Sequence, residues 1–216
     1  MGKYNPFLDA YGLLFEHFGP QHWWPAETPF EVMVGAVLTQ NTNWDNVRKA
    51  IAELRERGLL SYQALAGCSA EEIAPLIRAS GYYNLKARRL KNLLDFLGEE
   101  YRGDLDALGN DDPDTARQKL LAVKGIGHET ADSILLYACN QPILVVDMYT
   151  HRVFSRHNLL PEECAYQEMQ DTISARLPRE TALFNEFHAL IVRVAASYCK
   201  KSKPLCGECP LQGLNL

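Results

Sequence analysis

The order of apolar and polar positions along the chain predicts a protein built almost entirely of helices. Apolar residues recur mostly at helical spacing, and residues typical of helix starts and stops separate the segments. Residues 29–38 are apolar on most faces, which predicts a buried central helix. Further helices are predicted at 115–123, 147–156, 161–177 and 181–199, in the HETADSILLYAC segment, and from residue 84 onward. The ILVV segment at 143–146 is equally compatible with a buried strand.

Several helix starts carry a specific chemical signal. Thr42 opens a T-x-x-D pattern and Ser69 opens an S-x-x-E pattern, and both patterns are typical of capping boxes. Asp112 is followed by Pro113, and a carboxylate before a proline suits the first turn of a helix. These signals place helix starts near residues 43, 70 and 113.

Length, composition and charge narrow the class of protein. The chain has 216 residues, is 47% hydrophobic and 23% charged, and carries a formal net charge of -5. These values suit one globular unit or two packed halves, and they exclude intrinsic disorder and collagen. The apolar runs are far shorter than the roughly 18 residues of a membrane span, and no secretory signal is evident. Six cysteines are too few for a disulfide scaffold, so we expect a cytoplasmic protein, and we expect a monomer.

Two features along the chain point to chemistry. Lys124, Gly125, Ile126 and Gly127 join two predicted helices, and such a glycine-containing hairpin would let a phosphate approach the start of the second helix. A plain helix-helix turn is the alternative. Asp147 follows an apolar segment and opens another helix. It is either an N-cap or a carboxylate that stabilises positive charge on a sugar and orients water.

The chain resembles the helix-hairpin-helix DNA glycosylases of the endonuclease III superfamily. The resemblance rests on LLAVKGIGHETADSILLYA, VVDMYTHRVF, LTQNT and SGYYNLKARRL. It implies an all-α, two-domain fold, with a six-helix domain at 26–136 and a second domain formed by 1–25 and 137–216. It also implies that damaged double-stranded DNA lies in the cleft between the domains, with Asp147 as the catalytic carboxylate.

One residue of the helix-hairpin-helix motif distinguishes the chemistry expected of this chain from that of endonuclease III itself. Where that enzyme has a lysine that forms a Schiff base, this chain has Glu129, and a carboxylate cannot form an imine. The spaced features KGIGHETADSI, LTQNTNWD, SGYYNLKARRL and the early WWP look closest to the branch of bacterial 3-methyladenine DNA glycosylases of endonuclease III type. With Glu129 in place of the lysine, we expect a monofunctional, hydrolytic enzyme. That resemblance implies a base pocket formed by Trp23, Trp24 and Trp44. It assigns Glu129 to the catalytic site, where it would hydrogen-bond the base edge or add negative potential.

An alkylated purine carries positive charge, which weakens its glycosidic bond and favours stacking on aromatic faces. Each cation-π contact stabilises binding by roughly 0.5 to 2 kcal/mol. The alternative for each tryptophan is hydrophobic anchoring, and for Glu129 it is a solvated first-turn position favoured by the helix dipole.

Phosphate contacts are predicted for the basic residues Lys86, Arg88 and Lys124, and for the backbone of Gly125 and Gly127. Such contacts would position the DNA without reading its sequence. A side chain near Gln40 and Asn41 would fill the space left by a flipped nucleotide. The alternative for the basic KARRLK segment is a solvated helix face.

Cys199, Cys206 and Cys209 have the spacing C-x6-C-x2-C, which resembles the first three ligands of the endonuclease III 4Fe-4S loop. The fourth position holds Asn215, and asparagine is a poor iron ligand. A cluster with an unusual or absent fourth protein ligand, a zinc site completed by another residue and a relic loop of free thiols all stay open, and the spacing favours a cluster. The other three cysteines are predicted to be core thiols, and Cys164 could be a substitute ligand only if the fold brings it near.

Two other functions compete with a monofunctional alkylpurine glycosylase. One is a bifunctional glycosylase and lyase that acts on oxidised pyrimidines, which Glu129 disfavours. The other is a DNA-bending protein without catalysis, which would need the KGIG hairpin but not Asp147. The presence of both features favours an enzyme.

Overall fold

The structure is a computed structural model that describes residues 4–214, and helices account for all of its regular secondary structure. The all-α prediction is confirmed, since this range contains no strand. Twelve α-helices follow one another in it: α1 (Pro6–Phe18), α2 (Pro29–Leu38), α3 (Trp44–Glu56), α4 (Tyr62–Ala66), α5 (Ala70–Leu76), α6 (Tyr83–Tyr101), α7 (Leu105–Asn110), α8 (Pro113–Ala122), α9 (His128–Ser133), α10 (Met148–Arg156), α11 (Tyr166–Ser174) and α12 (Thr181–Ser197). No helix in the described part of the chain is long and apolar enough to cross a membrane.

The described chain divides into two compact units. One unit runs from Trp24 to Gln141 and contains α2 to α9. The other combines the described residues up to Trp23 with those from Pro142 onward, and it contains α1 and α10 to α12. The predicted domain boundaries near residues 25 and 136 stay a prediction.

Each unit has its own apolar core. In the Trp24–Gln141 unit, α2 is buried from Phe30 to Leu38, as its apolar sequence predicts, and it packs against α3, α6 and α9. In the other unit, the rings of Phe7, Phe154 and Phe187 join α1, α10 and α12, with centroids 5.1 Å and 6.0 Å apart in the two successive pairs. Edge-to-face and tilted ring pairs at these distances add to the stabilisation from burial.

Most helix starts follow the predicted caps. Ser69 and Glu72 form a reciprocal capping box before α5. The side chain of Asp112 accepts the Thr115 N–H before α8, with Pro113 in the first turn. The predicted Thr42 cap is wrong by one residue, because the side chain of Asn43 accepts the Asn46 N–H at 3.0 Å and caps α3 instead.

Three predicted elements differ from the structure. The helix predicted at 161–177 is confined to α11, Tyr166–Ser174. Residues 143–146 are buried but form neither helix nor strand, and the Leu144 carbonyl accepts a hydrogen bond from Gln170 of α11 at 2.6 Å. The helix predicted in HETADSILLYAC consists of α9 and a π-helical turn, Ile134–Ala138. In this turn the Cys139 N–H binds the Ile134 carbonyl, five residues back.

Lys86 lies inside the Trp24–Gln141 unit with only 1% of its surface exposed. Its Nζ donates to the carbonyls of Leu38 at 2.7 Å and Ser80 at 2.6 Å, so it joins the end of α2 to the turn before α6. Burial, with a smaller effect of Arg89, lowers the pKa of Lys86 to about 8. A phosphate cannot reach a buried ammonium that two carbonyls already hold, so the DNA contact predicted for Lys86 is wrong.

Candidate active site

The KGIG hairpin connects α8 to α9 in a conformation that requires glycine at one position. Gly125 has a φ of +98°, and a Cβ atom there would lie 2.4 Å from the Cγ atom of Arg89. Gly127 has an ordinary φ of -96° and caps α9, and a Cβ atom there would meet no other protein atom within 4 Å. Gly125 is therefore needed for the protein's own packing, whereas Gly127 leaves the backbone open to another molecule.

Side chains from two neighbouring segments fix the hairpin. The amide of Gln40 donates to the Gly125 carbonyl at 3.2 Å and to the Thr130 hydroxyl at 2.9 Å, and its oxygen accepts a hydrogen bond from Arg89. Asn92 of α6 donates to the Lys124 carbonyl at 2.8 Å. Because Gln40 uses both ends of its amide in these contacts, it braces the hairpin.

The residues predicted to contact DNA differ in exposure. Asn41 is exposed and has a φ of +53°, which turns the chain sharply after Gln40. Lys124 on the hairpin and Arg88 on α6 are also exposed. Tyr82, which the sequence analysis did not single out, is 71% exposed and has a φ of +46° just before α6. Exposed aromatic and apolar side chains on strained turns suit insertion between bases.

Two of the three tryptophans meet in one aromatic cluster. Trp24 contacts Trp44 edge to face, with centroids 5.2 Å apart, and lies 5.3 Å from the ring of Tyr137. We call Trp24, Trp44 and Tyr137 the aromatic cluster. A Cβ atom at Gly35 of α2 would come within 3.3 Å of the Trp24 indole, so the small residue allows this close packing. Trp23 belongs to the other unit.

Sequence reasoning missed Tyr137 because its position depends on the π-helical turn. Residue 137 lies within this turn, which continues α9, and the sequence shows no signal for the wider turn. Glu129 is an exposed residue in the first turn of α9, next to the Thr130 that binds Gln40.

Asp147 caps α10 while it is almost completely buried. Its Oδ1 accepts the Thr150 N–H at 2.7 Å and the Thr150 hydroxyl at 3.0 Å, and its own N–H donates to that hydroxyl at 3.2 Å. The N-cap interpretation of Asp147 is confirmed as a local role. This cap leaves Oδ2 for other contacts.

His188 of α12 lies opposite that second oxygen, with 3.6 Å between its Nε2 and Oδ2 of Asp147. Only 8% of Asp147 and 7% of His188 is exposed. Burial alone would raise the pKa of Asp147, but His188 and the two hydrogen bonds from Thr150 outweigh it and hold the pKa below its ordinary value. The carboxyl group is therefore ionised at neutral pH and its negative charge is partly compensated.

The cysteine loop is shaped by two arginines of α10. Arg152 donates to the Cys199 carbonyl at 2.7 Å, and Arg156 donates to the Cys199 Sγ at 3.3 Å and to the Lys200 carbonyl at 2.8 Å. Cys199 is buried, Cys209 is half-buried and Cys206 is exposed. Hydrogen bonds from α10 therefore hold the backbone at the start of the cysteine loop.

The donor atoms of this loop fit an iron-sulfur cluster only in part. Three thiols suit iron, but Asn215 at the fourth position lies outside the described residues, and its carboxamide is a poor iron ligand. Within residues 4–214, no group of three or more His, Cys, Asp or Glu side chains forms a metal-binding set. Cys68 and Cys164 contact the carbonyls of Ala64 and Ala165.

Two parts of the chain match known protein families. Residues 34–179 match the family of HhH-GPD superfamily base excision DNA repair proteins, and residues 199–214 match the iron-sulfur binding domain of endonuclease III. These two matches cover the hairpin, Asp147 and the cysteine loop.

Individual relatives extend over nearly the whole chain. A Methanocaldococcus jannaschii protein, provisionally named a DNA repair glycosylase, is 43% identical over 97% of this chain and 96% of its own length. Endonuclease III of Thermotoga maritima is 31% identical over 85% of this chain and 81% of its own. The solved structure of the H. pylori 3-methyladenine DNA glycosylase MagIII bound to 1,N6-ethenoadenine has a TM-score of 0.77 and 28% identity, and it covers 90% of this chain and 98% of that one.

Substituting the two hairpin glycines should separate folding from DNA binding. Gly125→Ala should destabilise the fold by about 1–3 kcal/mol, because the positive φ and the contact with Arg89 both oppose a Cβ atom. Gly127→Ala should leave stability unchanged and weaken binding to duplex DNA. Thermal unfolding and a binding titration measure the two effects, and equal stability of the two variants would contradict this account of the hairpin.

Proposed function

Because the chain belongs to the HhH-GPD superfamily of base excision DNA repair proteins, we propose that it hydrolyses the N-glycosidic bond of an alkylated purine, such as 3-methyladenine, in double-stranded DNA. Membership of this DNA glycosylase family follows from the match over 34–179. The choice of substrate is supported by one observation above all, which is the aromatic cluster of Trp24, Trp44 and Tyr137.

The aromatic cluster favours a cationic base for electrostatic reasons. Ring faces carry negative potential, so a positively charged purine that stacks on an indole gains a cation-π contribution that a neutral base lacks. The rings of Trp24 and Trp44 are only partly exposed, which reduces the competition from water. The similarity to a 3-methyladenine glycosylase supports the same substrate class.

Asp147 is the proposed catalytic carboxylate. As the base leaves, the sugar acquires oxocarbenium character, and a nearby anion stabilises it and directs water to the anomeric carbon, as in glycoside hydrolysis. The low pKa of Asp147 supports this role, since a protonated acid would lack the needed charge. The open hairpin backbone at Gly127 and exposed Lys124 would hold the DNA by its phosphates, and Asn41 would help to fill the space of the flipped nucleotide.

Glu129 supports a monofunctional enzyme, because no amine nucleophile stands at its position. A bifunctional enzyme on oxidised pyrimidines is the second candidate, favoured by the 31% identity to an endonuclease III. The expected monomer and the expected cytoplasmic location stay predictions.

We also propose that the cysteine loop holds an iron-sulfur cluster through Cys199, Cys206 and Cys209, with an unusual or absent fourth protein ligand. The match to an iron-sulfur binding domain supports this assignment. When bound, the cluster would supply rigid thiolate links within the loop.

Asp147→Asn should abolish base release and leave DNA binding largely intact, because the substitution removes the charge at nearly constant size. Single-turnover excision and a titration with duplex DNA measure the two properties. A parallel loss of both, accompanied by a lower melting temperature, would show that Asp147 is only a helix cap.

Borohydride should trap no covalent protein-DNA adduct during excision, because the chain has Glu129 where an amine would be needed. Denaturing gel electrophoresis of the reaction detects such an adduct. Efficient trapping on a duplex with an oxidised pyrimidine would favour the bifunctional candidate.

Trp24→Ala should slow the excision of 3-methyladenine more than that of a neutral lesion. Loss of one stacking face costs roughly 1 to 3 kcal/mol, so the rate should fall by about fivefold to a hundredfold. Trp24→Phe is the matched control that keeps an aromatic face. Equal slowing of charged and neutral lesions would make Trp24 a packing residue and remove the main support for an alkylated substrate.

Protein purified under anaerobic conditions should contain iron and acid-labile sulfide, and the Cys206→Ser variant should lose both. The Asn215→Cys variant should retain iron and sulfide longer in air, because a fourth thiolate completes the donor set. Elemental analysis gives the contents, with Cys164→Ser as the control. Protein without iron, or iron without sulfide, would contradict the cluster.

A further inference from the structure

The two oxygens of the Asp147 carboxylate have different partners. Oδ1 is held by the N–H and hydroxyl groups of Thr150, which lie on the same helix. Oδ2 lies 3.6 Å from His188 Nε2, which comes from α12, more than thirty residues later in the chain. The first contact caps α10 and is a common local motif. The second contact is long-range and has no part in the cap.

His188 lies in a buried, apolar stretch of α12. Its neighbours along α12, Phe187, Ala189 and Leu190, are all buried and apolar, and His188 itself is 7% exposed. An imidazole in such a place loses the hydration it has in water, and a nearby carboxylate is the group that best compensates this loss. At 3.6 Å the pair lies within ion-pair distance but beyond a hydrogen bond, so a small side-chain movement would close it.

We propose that His188 is a positioning residue for Asp147, which holds Oδ2 in place and keeps the carboxylate ionised when base excision begins. This inference rests on the proposed function, since it assigns a partner to the proposed catalytic group. Without His188, the described partners of the buried Asp147 carboxylate would be the two groups of Thr150, and burial would then favour its neutral form. The neutral form could not stabilise a positive sugar.

The other charged and titratable groups on α1, α10 and α12 have different environments and do not account for the ionisation of Asp147. On α1, Asp9 and Glu16 are exposed, Tyr11 lies near Glu186 of α12, and His17 contacts the Tyr198 hydroxyl.

On α10, Arg152 lies over the Tyr149 ring, His151 contacts the Pro161 carbonyl and Arg156 binds the cysteine loop. On α12, Arg193 lies over the Phe18 ring.

The test compares His188→Leu, which removes the polar group, with His188→Gln, which keeps a donor of similar reach. His188→Leu should excise the parent's preferred lesion at least about tenfold more slowly at neutral pH. The acid limb of its rate profile should move to higher pH, because Asp147 would take up a proton more readily. His188→Gln should restore part of the rate, and binding to a duplex with an abasic-site analogue should not change.

His17→Gln is the matched control, because it alters another histidine of the same unit, whose described hydrogen-bond partner is the Tyr198 hydroxyl. It should leave both the rate and its pH profile unchanged. An unshifted acid limb in His188→Leu, or a rate loss that is uniform with pH and parallels a loss of DNA binding, would overturn the positioning role.

A second measurement needs no substrate. In an NMR titration, the Asp147 carboxyl signal, assigned by its loss in Asp147→Asn, should titrate at higher pH in His188→Leu than in the parent. An unchanged titration would overturn the inference. If His188→Leu does not fold, His188→Gln is titrated instead. Failure of the proposed function gives a different result, in which the parent excises no alkylated purine while the shift in the Asp147 titration still appears.

Discussion

An ionised side chain can be buried only if other groups replace the water it loses, and both units of this protein contain such side chains. In the unit with α10, Asp147 receives two hydrogen bonds from Thr150 and faces His188. The start of α10 adds the positive end of the helix dipole. These partners come from α10, which Asp147 caps, and from α12. The ionisation of the Asp147 carboxylate therefore depends on how these two helices pack.

The other unit contains a buried cation whose hydration is also replaced by protein groups. Lys86 has no carboxylate partner among its described contacts, and two backbone carbonyls replace its hydration. One carbonyl closes α2, just before Gln40 and Asn41, and the other closes the turn before exposed Tyr82. The buried ammonium therefore joins the two segments from which residues would reach into a distorted duplex. A lysine that is itself buried can therefore determine where the residues proposed to contact DNA lie.

The sequence was sufficient to predict the features that depend on neighbouring residues. The all-helical fold, the buried α2, and the caps at Ser69 and Asp112 are all local, and the structure confirms them. Features that depend on distant contacts were not predictable. The sequence places Lys86 in a basic segment, and only the fold shows that it points inward. Gln40 looked available to fill a gap, yet long-range bonds to the hairpin occupy its amide. His188 lies far from Asp147 in sequence, so no spacing rule links them.

The π-helical turn at Ile134–Ala138 holds one more residue than the α-helical turn it replaces. Removal of a single residue between 134 and 138 would let an ordinary α-helix form, and the side chains beyond the deletion would keep nearly the same direction, because the shorter turn covers about the same rotation. An inserted residue has no such compensation and would rotate the side chains beyond it by about 100°. Among descendants of this chain, the loss of one residue in this turn should therefore be tolerated far more often than the gain of one.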